Sequence, residues 1–161
     1  MKIQLDYEIQ INVQEGSATK ESLVVFFREF TKQERKKQRE SQDKFSKIYQ
    51  KLQKLDKKQS SLTKKAELHE LNGDYTLSLK CLAQNEKLDV ELDKLVEELE
   101  NIGGGNQDEF TESIAKDRFD KQVSGSDKSK LEVYAEIKGY SQLIRELDAA
   151  KAELEKKQSG E

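Results

Sequence analysis

His69 and Cys81 are the only imidazole and the only thiol in the chain, and they stand twelve residues apart. A zinc site needs about four such ligands in short pairs, and a thiol nucleophile needs a base held beside it. No Cys-x-x-Cys, His-x-x-x-His or calcium-loop spacing occurs, so metal and thiol chemistry both lack their ligand sets. We read His69 as a polar position near a helix end and Cys81 as a small residue in a helix seam. Gly103-Gly104-Gly105 is not a phosphate cradle, because no strand precedes it and no Gly-Lys-Ser/Thr follows. Carboxylates are abundant, but they fall on helix exteriors, where a solvated face accounts for them. No enzyme, no cofactor and no small-molecule substrate is expected.

The remaining chemistry is charge. Lys32, Arg35, Lys36, Lys37 and Arg39 form the one basic cluster able to neutralise nucleic-acid phosphates. No aromatic side chains interleave with it for base stacking, and the whole chain carries a net charge of −3. Nucleic-acid binding is therefore the alternative reading rather than the leading one.

What would position such residues follows from composition. Hydrophobic residues make up 34 % and charged residues 38 %, against about 45–50 % and about 25 % in ordinary globular domains. Proline is absent. Long helices that bury a narrow apolar stripe suit this composition. The longest apolar run, Leu23 to Phe27, is five residues, far short of the roughly 20 that span a membrane. A single cysteine and no visible secretory signal fit a cytoplasmic protein.

Residues 1–30 read as a head. Ile3, Leu5, Tyr7, Ile9, Ile11 and Val13 alternate with polar residues, the pattern of a strand over 3–13. Gly16, Ser17 and Thr19 mark a turn. Leu23, Phe26, Phe27 and Phe30 then sit at helical spacing, and the periodicity favours a helix. A second strand over 22–27, closing a hairpin, is the competing reading. If the helix forms, the strand has no partner in the chain, and its six apolar residues become a candidate docking element for another copy or another protein. Residues 31–44 contain no apolar side chain and read as a polar, basic helical spacer.

The clearest pattern covers 45–102. Phe45, Ile48, Leu52, Leu55, Gln59, Leu62 and Ala66 follow alternating steps of three and four, as do Leu88, Leu92, Leu95, Leu99 and Ile102. Folded back at Asn72-Gly73-Asp74, the seams meet in register: Phe45 faces Ile102 and Leu55 faces Leu92, each pair of numbers summing to 147. Residues 31–65 carry 13 Lys/Arg against 4 Asp/Glu, while residues 74–109 carry 3 against 10. Opposite charges flanking a seam select the antiparallel partner, with Lys51 expected near Glu98 and Lys58 near Glu91.

Residues 103–126 read as a flexible linker holding a short amphipathic helix (Phe110, Ile114, Phe119, Val123). Residues 127–158 read as one C-terminal helix, opened by a Ser129/Glu132 capping box and carrying the stripe Leu131, Tyr134, Ile137, Leu143, Ile144, Leu147, Leu154. The spacing leaves open whether that stripe packs within the chain or against another copy. The whole predicts an elongated, mainly α protein: an antiparallel coiled-coil hairpin, a long C-terminal helix and a small N-terminal β element. Such a protein is expected to act as a scaffold or adaptor through protein partners or self-association. The further alternative is an assembly or export chaperone offering its last apolar stripe.

Overall fold

The computed structural model describes residues 6–13 and 21–159, which fall into two compact units. A sheet unit draws on residues 1–36 and 108–161, and a hairpin unit on residues 37–107. Ile3, Leu5 and the turn read at Gly16 to Thr19 lie outside the described residues.

The sheet unit is built on β1 (Asp6–Val13), β2 (Glu21–Arg28) and β3 (Val123–Ser124), antiparallel in the order β1-β2-β3. Tyr7 lies opposite Phe27, Ile9 opposite Val25 and Ile11 opposite Leu23. All six are buried, so the register brings one continuous apolar face together. The helix favoured over Leu23–Phe30 is thus corrected. Leu23, Val25 and Phe27 are buried at period two, while Val24 and Phe26 turn outward. A run apolar on both faces imitates helical spacing, and the waiting partner strand β1 decides between the two.

The stretch expected to be a linker is structured as well. It forms α3 (Gln107–Gln122) and then β3, whose Val123 pairs with Phe27. The single C-terminal helix is corrected to two, α4 (Lys128–Lys138) and α5 (Tyr140–Ser159). They part at Gly139, whose φ of +96° suits glycine and few other residues. The first begins at Lys128, so the Ser129/Glu132 capping box does not open it, and Asp127 instead accepts a hydrogen bond from the Val24 backbone at 2.9 Å.

Leu131, Leu143, Ile144 and Leu147 join Ala115, Phe119 and the sheet's inner face in one core. The C-terminal stripe is therefore satisfied within the chain, apart from Ile137, which stays exposed. Burying each large side chain contributes about 1.5–3 kcal/mol. Glu112 of α3 ties the start of α5 down, accepting from the Tyr140 and Ser141 backbones and from Ser141 Oγ. Desolvation pushes its carboxyl up, but these hydrogen bonds prevail and its pKa is lowered.

The hairpin unit pairs α1 (Lys32–Leu71), whose opening residues belong to the sheet unit, with α2 (Tyr75–Ile102). Gly73 turns the chain with φ +78°, and the Asp74 side chain caps α2 by accepting from the Leu77 backbone at 3.3 Å. The seam expected from sequence is the shielded one. Phe45, Leu62, Ala66, Leu88 and Leu99 are buried, and Ile48, Leu52, Leu55, Leu92 and Leu95 half-buried. Its register is fixed by Gln59, which donates to the Asn85 carbonyl at 3.2 Å and to Asp89, on either side of Leu88. Lys51 and Glu98, and likewise Lys58 and Glu91, form no ion pair within 4.0 Å. Apolar burial holds this hairpin, and the flanking charges act at longer range.

Candidate functional site

The residues singled out in the sequence part company in the structure. Tyr7, Ile9, Ile11 and Val13 are buried under the chain's own helices, and β1 is paired with β2. The Tyr7 hydroxyl donates to Glu155 at 3.3 Å, and Lys151 lies over its ring. Burial and the Glu155 carboxylate both push the Tyr7 pKa up. That apolar face is occupied, so docking through an unpaired strand is not carried forward. The cations Lys32, Arg35, Lys36, Lys37 and Arg39 are all exposed and form no ion pair among the described residues.

The unfinished surface lies elsewhere, in the hairpin unit next to its turn. Continued from Leu88 toward the turn, the α2 seam passes through Asn85, Cys81 and Ser78; on α1 it ends at Ala66 and His69. Every one of these positions is at least half-buried. Polar and apolar residues have thereby exchanged places. Leu68, Leu71, Tyr75, Leu77, Leu79 and Leu82 are all exposed, Leu71 by 82 % and Leu79 by 66 %. Farther from the turn, Val90 is the hairpin unit's one exposed large apolar residue among the described residues.

Polar seam residues fix register at a cost in stability. Asn85 donates to Thr63 Oγ1 at 3.0 Å, and that hydroxyl donates on to the Gln59 carbonyl at 3.0 Å. The Asn85 Oδ1 atom is buried without a donor, a loss of about 1–3 kcal/mol. The same residues line an open groove of about 560 Å³ between α1 and α2, bounded by Asp56, Gln59, Thr63, Glu67, Asn85 and Asp89. Tyr75 and Leu82 lie two and one heptads before Asp89, so they share its face of α2. The groove therefore runs into an exposed apolar strip toward the turn.

This arrangement offers shape, apolar area and negative charge, and no catalytic geometry. Cys81 is half-buried in the seam, and among the described residues no group of three His, Cys, Asp or Glu could hold a metal. No described helix is long and apolar enough to cross a membrane. No protein-family profile, no curated protein and no solved structure matches the chain.

Sequence reasoning missed this surface because it treats apolar residues as buried by default. The signal was present: extending the three-four steps through residues 85, 81 and 78 reaches polar or small side chains and leaves the leucines out of phase.

Proposed function

We propose that the protein is a non-enzymatic adaptor that binds a protein partner through the turn end of its hairpin unit. The exchange of polar and apolar positions there carries the reading. A hairpin that served only as a spacer would bury its leucines and expose its asparagine and serine. This one does the reverse over residues 68–85, which leaves an apolar surface for another protein to cover. The sheet unit, with its own core, supplies a base that needs no partner to fold. A cytoplasmic setting belongs to this reading and rests on the lone cysteine.

Site-specific photo-cross-linking in cells tests it. A photoreactive side chain at Leu79 or Leu82 should give discrete protein adducts; one at Lys54 or Ile137 should not. Equal labelling at all four positions, or none at Leu79 and Leu82, would overturn the adaptor reading.

The exposed cations from Lys32 to Arg39, without ion pairs among the described residues, favour one second reading, nucleic-acid association. A retardation assay separates the two. Phosphate binding through these residues would shift RNA or DNA at low salt and fall away steeply as salt rises.

A further inference from the structure

We infer that the occupant of the groove is a single amphipathic helix flanked by lysine or arginine, which completes a three-helix bundle beside the turn. The inference rests on the adaptor reading and names the chemistry of its partner.

Geometry sets the element. The groove lies between two antiparallel helices, and the strip Tyr75, Leu79 and Leu82 follows helical spacing along its α2 wall. From Tyr75 to Leu82 is about 10 Å at about 1.5 Å per residue, two turns of helix. A third helix lying along the groove presents side chains at the matching interval. An extended peptide would need an open strand edge, and this unit has no strand among the described residues.

Charge sets the partner. Asp56, Glu67 and Asp89 line the groove against one cation, Lys64. Along α2 the same face continues from Tyr75, Leu79 and Leu82 to Glu86, Asp89 and Asp93, all exposed. The occupant therefore meets an apolar floor near the turn and carboxylates farther along. Leucines flanked by cations satisfy both ends, and acidic flanks satisfy neither. A second copy packed through the same face would set these carboxylates against each other. Nucleic-acid phosphates would be repelled. A lysine, arginine or glutamine on the incoming helix also brings donors to the groove where Asn85 Oδ1 has none.

The test uses the full chain and two synthetic helical peptides of about three heptads, each with leucine at the seam positions. One carries lysine at the flanking positions and its twin carries glutamate. Fluorescence anisotropy should show the lysine peptide binding at least about tenfold more tightly than its twin. The double change Leu79→Ser with Leu82→Ser should weaken that binding by about tenfold or more. Glu86→Gln with Asp89→Asn should shrink the preference for lysine over glutamate and flatten its salt dependence. Ile137→Ser, in the sheet unit, should leave binding unchanged. Both serine positions are exposed, so thermal melts of the variants should match the parent.

Three results would overturn the inference: neither peptide binds, the twin binds as well, or binding ignores Leu79 and Leu82. So would light scattering that finds a dimer which the same serine pair dissociates, since a second copy would then fill the groove. Peptide failure with cross-links from Leu79 intact sinks only the basic-helix assignment. Absent cross-links sink the adaptor reading itself.

Discussion

The two units of this chain solve the same problem in opposite ways. The sheet unit finishes itself. Its core is closed by strands and helices from both ends of the sequence, and all six ion pairs within 4.0 Å among the described residues lie in it. Arg28 is typical of this closure. Its guanidinium grips Glu34 at 2.7 and 2.8 Å and the Lys121 carbonyl at 2.8 Å. The hairpin unit closes no such pair. It shields a narrow seam, buries an unpaired amide oxygen and leaves six large apolar residues exposed over 68–82. Where every polar group is matched, a unit serves as support; where the matching is left open, the fold has room for a partner.

The comparison breaks most visibly in the sheet core. Phe27 is fully buried between β1 and the helices packed on the sheet. Phe27→Ala should lose about 3–5 kcal/mol, enough to unfold a marginal sheet unit. The same truncation at exposed Tyr75 should change stability by less than about 0.5 kcal/mol. Paired chemical denaturation curves check both. Similar losses at the two sites would erase the distinction between the units.

A smaller effect comes from acid. Arg28 beside Glu34 holds that carboxyl at about 2, with further help from the Thr31 backbone and hydroxyl. Thr31 and Glu34 also form a capping box at the start of α1: the Glu34 backbone donates to Thr31 Oγ1 at 3.1 Å and the Thr31 backbone to Glu34 at 3.0 Å. The folded-state pKa lies below the unfolded one, so the stabilisation is complete above about pH 4.5 and is lost as pH falls toward 2. Its size is on the order of 2 kcal/mol. Glu34→Gln keeps a capping partner but removes the titration. Melts between pH 5 and 2 should therefore be flatter in that variant; parallel slopes would count against the pair.

How much of this was legible in sequence depends on how many faces an element shows. The strand at 6–13 and the hairpin of 45–102 each bury one face or one stripe, so their periods stand out. The turn at Gly73 is legible because two seams counted from opposite ends agree. The run Leu23 to Phe27 is apolar on both faces, so its period vanished and only the β1 partner could reveal it. In the C-terminal stretch the signal lay in a gap. The stripe steps from Ile137 to Leu143, and Gly139 inside that gap ends α4. The groove was the least legible feature of all. It depends on which leucines fall out of phase with a seam, and that follows only once Asn85 and Ser78 are known to occupy it.

The smallest effect is also the sharpest. If the seam near the turn holds polar residues for a partner's sake, it should be improvable as a fold. Asn85 stands where a leucine would face Leu62, since the two numbers again sum to 147. Asn85→Leu removes the donorless buried oxygen and adds apolar contact across the seam. The exposed Thr63 hydroxyl, which loses its donor, can turn to water. The hairpin unit should gain about 1–2 kcal/mol, read as slower hydrogen exchange over 59–66 and 81–92. Protection of Phe27 and its neighbours in the sheet unit should stay unchanged. A destabilised hairpin would mean that Asn85 is needed to fix the pairing of α1 with α2. A stabilised one that also binds the lysine peptide less well would show stability and docking drawing on the same few residues.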